Sequence, residues 1–176
     1  MVKVSSVYMP KVTVMNHPLR FAAYMLLALV IVGLDQWTKV LADTQLQYGN
    51  PIKILPMFNL MLQYNQGAAF SFLSDAGGWQ RWLFAAISLV VSVALVIWIY
   101  RLKASEKMLA IALVFILGGA IGNLWDRVLL GHVIDFISVH YQQRYFPAFN
   151  LADSAITLGA FLMILDMILH PENHKD

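Results

Sequence analysis

The stretch Trp82-Leu83-Phe84-Ala85-Ala86-Ile87-Ser88-Leu89-Val90-Val91-Ser92-Val93-Ala94-Leu95-Val96-Ile97-Trp98-Ile99-Tyr100 carries no charged side chain before Arg101. At 1.5 Å per residue, a helix of this length covers about 29 Å, close to the hydrocarbon thickness of a bilayer. Its apolar residues surround the helix instead of forming one stripe, and Trp82, Trp98 and Tyr100 fall where interfacial aromatics belong. Three further apolar stretches lie at about 21–41, 108–125 and 150–169. Together with 82–100 they account for a chain of 176 residues that is 60% hydrophobic and only 12% charged, with a mean hydropathy of +0.66. The expected fold class is an all-α membrane protein with four transmembrane helices, built as one membrane-embedded domain over 1–176.

The first apolar run follows a basic leader with Lys3, Lys11 and Arg20. It continues into Gly33-Leu34-Asp35-Gln36-Trp37-Thr38-Lys39 without a small-x-small cleavage site, so it reads as a retained span. Those leader cations, with Arg101, Lys103 and Lys107 in the turn between spans two and three, orient the chain by the positive-inside rule. Both termini are then cytoplasmic, and segments 42–81 and 127–149 lie outside. In the first of these, Phe58-Asn59-Leu60-Met61-Leu62-Gln63-Tyr64-Asn65 alternates so that Phe58, Leu60, Leu62 and Tyr64 share a strand face. It predicts a small extracytoplasmic sheet, at about 44–73, between helices one and two. The net charge of +2 and the scattered cations offer no stripe for nucleic acid, and the absence of Cys removes disulfides and thiol chemistry. No cofactor or metal is expected.

The acids within or beside the spans carry the functional reading. Asp153 and Asp166 are about 20 Å apart along one helix, so Asp153 belongs near the outer boundary and Asp166 near the inner one, reaching the interface beside His170. Asp35 lies in the outer half of the first span with Lys39 one turn later, an order that favours a structural ion pair. Asp135 follows the third span in Gly131-His132-Val133-Ile134-Asp135-Phe136-Ile137 and Asp153 opens the fourth, so the two carboxylates can meet at the outer rim. Taken on depth alone, they could also merely solvate helix ends. Gly119, Asn123 and Arg127 recur at i+4 on one face of the third helix, and Asn150 precedes Asp153 by three residues. Polar groups facing inward among Leu, Ile and Val need partners, which marks a site.

Five clusters carry a family resemblance: Asp35-Gln36-Trp37-Thr38-Lys39, Asn65-Gln66-Gly67-Ala68-Ala69-Phe70-Ser71, Gly119-Ala120-Ile121-Gly122-Asn123-Leu124-Trp125-Asp126-Arg127, Val133-Ile134-Asp135-Phe136 and Phe149-Asn150-Leu151-Ala152-Asp153-Ser154. In order and spacing, over about 21–165, the chain resembles the lipoprotein signal peptidase family, also called signal peptidase II. The resemblance implies an aspartic endopeptidase of the bacterial inner membrane that removes signal peptides from prolipoproteins before a diacylglyceryl-modified cysteine. Asp135 and Asp153 match its catalytic pair. Asn65, Asn123, Arg127 and Asn150 match polar residues that hold substrate or order the site, and Asp35 and Lys39 match a supporting pair. Its implied partners are lipid-modified prolipoproteins and membrane lipid, and a monomer is expected.

Three other chemistries compete on the residues. A serine/lysine peptidase would pair Lys39 with Ser71 or Ser154, although Asp35 would hold Lys39 charged. A proton-coupled transporter subunit would use the intramembrane acids as a relay, yet no chain of ionisable groups crosses the middle of the spans. A metal hydrolase would draw on His132, His140 and the two aspartates, which form no recognisable ligand spacing.

Overall fold

The computed structural model describes residues 17–67 and 79–171. The expected sheet residues 68–73, including Ser71, and the leader cations Lys3 and Lys11 lie outside the described residues. Four helices, α1 (His17–Gln45), α2 (Trp79–Arg101), α3 (Lys107–Leu129) and α4 (Leu151–Leu169), are each long and apolar enough to cross a membrane. They coincide with the four spans read from the sequence.

α3 packs against all three other helices, and its Leu109, Leu113, Val114 and Leu117 are buried. Around them gather Ala28 and Ile31 of α1, Leu95 and Ile99 of α2, and Ala155 of α4. Large apolar side chains such as Leu26, Val90, Phe161 and Ile168 point outward, which suits lipid as the solvent. Lipid tails are as apolar as these side chains, so hydrophobic transfer does little to join the helices; close backbone packing must do it. The α3–α4 contact is of that kind. A Cβ at Gly119 would run into the Ala152 carbonyl oxygen, and one at Gly159 would lie 2.6 Å from the Ala112 carbonyl oxygen.

The bundle has two unlike ends. At one, the Arg20 guanidinium donates to the Leu102 carbonyl oxygen (2.7 Å), tying α1 to the turn that holds Arg101, Lys103 and Lys107. Asp166 is at this end, but it does not reach outward as its position suggested. It is 2% exposed and meets His170 Nδ1 at 3.0 Å, so the last turn of α4 keeps the acid within the protein and presents the half-exposed histidine instead.

At the other end lies a four-stranded antiparallel sheet in the order β1 (Ile52–Leu55), β2 (Phe58–Asn65), β3 (Val133–Tyr141), β4 (Arg144–Tyr145). The expected sheet between helices one and two is present as β1 and β2, and the segment after α3 supplies the other two strands. The expected single apolar face of β2 is corrected. The pairing with β3 shifts between Leu60 and Gln63, and such an irregularity exchanges the faces of a strand. Asn59 and Leu62, three apart, are therefore the buried residues, while Tyr64 is 40% exposed and donates its hydroxyl to Asp43 Oδ1 at 2.7 Å. β3 is buried continuously from Val133 to Phe136. Phe149 bridges to it, donating its N–H to the Ile137 carbonyl (3.0 Å) and accepting from Ile137 N–H (2.8 Å). This bridge delivers the start of α4 to the side of Asp135.

Overpacking of this kind typically costs about 1–3 kcal/mol, so both Gly119→Ala and Gly159→Ala are expected to lower the thermal midpoint of the purified protein in detergent. Gly119→Ala pushes on the residue adjoining Asp153 and should also reduce activity per folded molecule. Gly159→Ala should leave that specific activity near the wild-type value.

Candidate active site

The site is built outward from a buried cation. Lys39 is 1% exposed and sits on α1, where its ammonium reaches Asp35 Oδ2 at 2.8 Å, Asp126 Oδ2 at 2.8 Å and Asn123 Oδ1 at 3.0 Å. An ammonium has three hydrogens and no acceptor, so these three partners use it fully. Each acid carries further bonds. Asp35 Oδ1 accepts from the Ala152 N–H (2.8 Å), which ties α1 to the first turn of α4. Asp126 accepts from Gln36 Nε2 (2.9 Å) and from the Ile134 N–H (3.2 Å), which ties α3 to β3.

The arrangement fixes Asn123. Its oxygen faces a group that only donates, so its amide nitrogen must point the other way, and it donates to Asp153 Oδ1 at 2.7 Å. Asp153 is also held by local helix chemistry. Asn150 is the N-cap of α4, and its side-chain oxygen accepts from the Asp153 N–H (2.9 Å) while Asp153 Oδ2 accepts from the Asn150 N–H (3.3 Å). This is a capping box made from Asn and Asp. The Asn150 amide nitrogen donates to Asp135 Oδ1 at 2.8 Å, so one side chain touches both acids' surroundings. Asn65, at the end of β2, donates to Asp135 Oδ2 at 3.1 Å. Asp135, Asp153, Asn65, Asn123, Asn150, Asp35 and Lys39 thus form one connected polar cluster.

Arg127 and Gly119 stand at its margin. Gly119 admits Ala152 beside α3, as described above. The Arg127 guanidinium lies 5.5 Å from the centre of the Phe84 ring and donates to the Asn123 carbonyl oxygen at 3.2 Å. The charges facing it are those of Asp153, Asp135 and Asp126.

The two aspartates have different surroundings. Asp135 is 2% exposed, and Asp153 is partly exposed at the end of an apolar groove of about 610 Å³ lined by Phe146, Phe149, Thr157, Leu158 and Phe161. Burial pushes the Asp135 carboxyl up to about 7, and the negative charge of Asp153 adds to the rise, against the amide donors Asn65 and Asn150.

The structure gives the competing chemistries little support. Lys39 is committed to three acceptors, and the Ser154 hydroxyl donates to the Asn150 carbonyl oxygen at 2.9 Å. His132 packs on Tyr64, and His140 stacks on Tyr145 at the far end of β3. Among the described residues, no three His, Asp or Glu side chains converge as metal ligands would.

Two members of the network had no role in the sequence reading: Asp126 and Gln36. Asp126 stood in a quoted cluster, and a signal was available. An ammonium has three hydrogens, and Asp35 four residues before Lys39 uses only part of them, so an acid near the end of another span, Asp126, could supply a further acceptor.

Replacing Lys39 by Met leaves two buried carboxylates without their cation, a loss of about 3–5 kcal/mol. Urea or thermal unfolding in detergent should show it, and should show a smaller loss for Asp35→Asn. The Asp135 shift has a definite sign. Its proton leaves near 3.8 in the unfolded chain but near 7 in the fold, so the folded state binds more protons between those values. Its contribution to stability is fully present below about 4, declines as pH rises towards 7, and is constant above. Asp135→Asn removes this dependence. The stability difference between variant and wild type should therefore shift in favour of the variant from about pH 4 to about pH 8.

Comparison with known proteins places this geometry in a family. The family model described as Signal peptidase (SPase) II matches residues 27–169. A lipoprotein signal peptidase of Pseudomonas aeruginosa is 57% identical over 143 residues, 80% of this chain and 85% of that one. One from Ectopseudomonas mendocina is 54% identical over 155 residues, 87% of this chain and 92% of that one. A solved structure titled as a bacterial membrane enzyme, determined by the in meso method, superposes with a TM-score of 0.75 at 31% identity, covering 88% of this chain and 93% of its own. With most of its length matched by the family model and by relatives 54% and 57% identical, this multi-pass membrane protein belongs to the signal peptidase II family of peptidases.

Proposed function

We propose that the protein is an intramembrane aspartic endopeptidase that removes signal peptides from bacterial prolipoproteins, cutting before the diacylglyceryl-modified cysteine. The observation that carries this reading is the pair of acids Asp135 and Asp153, held by Asn150 and differing in burial, at the end of a lipid-facing groove. A carboxylate that keeps its proton beside one that does not is the arrangement general acid/base hydrolysis needs. The ionised member takes a proton from water as it attacks the peptide carbonyl, and the protonated member donates to the developing oxyanion and then to the leaving amine. No covalent intermediate forms. Asp153 faces the groove and Asp135 is the better shielded, which favours Asp153 as the base.

The name carried by the relatives, lipoprotein signal peptidase, supports the substrate class. The groove's Phe149, Leu158 and Phe161 offer an apolar wall to acyl chains that remain in the bilayer. Asn65, Asn123 and Asn150 order the acids, Lys39 and Asp35 support them from α1, and Gly119 sets the helix spacing. In this reading, 1–176 is one domain acting as a monomer in the inner membrane. The basic end and both termini face the cytoplasm, and the sheet and acid pair lie near the outer face. The sheet shelters the scissile bond from bulk water.

The test is cleavage of a lipidated precursor peptide in detergent by wild type, Asp135→Asn and Asp153→Asn. Losing a general acid or base costs about a hundredfold to ten-thousandfold. Each variant should fall at least that far while keeping its helical circular dichroism. Near-wild-type turnover in either folded variant would sink the aspartic reading.

A further inference from the structure

Hydrolysis changes the charge of the site. A neutral amide is broken, the water oxygen bonds to the acyl carbon, and the nitrogen leaves with a proton. Near neutrality the acyl product then loses its own proton. A new carboxylate has appeared beside Asp135 and Asp153, where like charges repel. A cation with unused donors beside it would offset that repulsion.

Lys39 cannot serve, because its three hydrogens are taken by Asp35, Asp126 and Asn123. Arg127 can. Its guanidinium is placed by the Phe84 ring and by one bond to the Asn123 carbonyl oxygen, and it faces Asp153, Asp135 and Asp126 without an ion pair to any described residue. Its Nε–H is buried and has no partner among the described residues. A buried guanidinium donor left unpaired is costly, and the planar fork of Nε and a terminal nitrogen matches the two oxygens of a carboxylate. Asn123 joins this cation to the acid pair, because its backbone oxygen receives Arg127 while its side chain donates to Asp153.

We infer that Arg127 is the docking group for the C-terminal carboxylate that cleavage creates on the released signal peptide. This rests on the endopeptidase reading and deepens it. Arg127 meets the acyl half of the cut bond, so the enzyme is subject to product inhibition by a peptide acid.

The experiment compares two synthetic peptides as competitors in the precursor-cleavage assay at about pH 7.5. Both have the sequence of the assay substrate's signal segment up to the cut bond; one ends in a free carboxylate and the other in a carboxamide. For wild type the acid should inhibit at least about tenfold more strongly than the amide. In Arg127→Gln the two should inhibit alike, and where its turnover is too slow to compete against, both peptides should raise its thermal midpoint in detergent alike, while in wild type the acid raises it more. If Arg127→Gln does not fold, Arg127→Lys takes its place and should show a reduced ratio, since an ammonium cannot make the paired contact. Equal inhibition by acid and amide in wild type would overturn the assignment, as would an undiminished preference for the acid in the folded Arg127 variant. These outcomes are separable from failure of the endopeptidase reading, which would show as absent cleavage by wild type or persistent cleavage by Asp135→Asn.

Discussion

Lys39 offers three hydrogens to three acceptors in a place where water cannot substitute for any of them, and the order of the sheet end of the bundle follows from that match. Its partners come from two helices. Asp35 uses its other oxygen to grip the first turn of α4 at Ala152, and Asp126 accepts the Ile134 N–H at the entry to β3 on the same oxygen that meets Lys39. A buried ammonium with one acid would be a marginal device, because desolvating both charges can cancel their attraction. Two acids and an amide oxygen complete its coordination, and the backbone N–H groups of Ala152 and Ile134, with Gln36, occupy the acids' other lone pairs. Four elements are thereby held together by groups that would each be destabilising alone.

That frame determines which way the amides point. Asn123 could present oxygen or nitrogen to Asp153, and Lys39 decides for nitrogen. Asn150 is decided by the helix: as N-cap it must offer its oxygen to the Asp153 N–H, which leaves its nitrogen for Asp135. The acids are thus fixed by two independent kinds of chemistry. One uses a helix terminus, whose free N–H groups require an acceptor, and the other uses the end of a strand pair, where Asn65 reaches across from β2.

The helices were legible because apolar length is a property of contiguous residues, and 82–100 leaves little choice. The placement of Asp135 and the start of α4 at the same end of the bundle was legible as well, from the order of the spans and the outer connection that joins them. Other features were hidden by their dependence on distant partners. Val133-Ile134-Asp135-Phe136 shows no alternation, because this part of β3 is buried throughout, so period two could not reveal the strand. The shift between Leu60 and Gln63 depends on pairing with β3 and breaks the single face read for β2, so that Asn59 and Leu62 are both buried. Asp126 and Asp166 look like acids at span ends. Only folding shows that one serves Lys39 and the other is kept inside beside His170.

The contrast between the two site acids also follows from placement. Asp135 lies on a strand covered by the bundle, and burial together with the nearby Asp153 charge keeps its proton on to about 7. Asp153 lies in the first turn of a helix that meets lipid, opens onto the groove and accepts the N–H of the N-cap Asn150. Exchanging the two environments would require moving a strand into lipid or a helix terminus into the sheet, and an open strand edge is excluded from hydrocarbon because its backbone groups would lack partners. The sheet can therefore sit only at the rim of the bundle, with the buried acid on it and the accessible acid on the helix. The difference in burial within the pair is thus a consequence of where a membrane permits each kind of secondary structure.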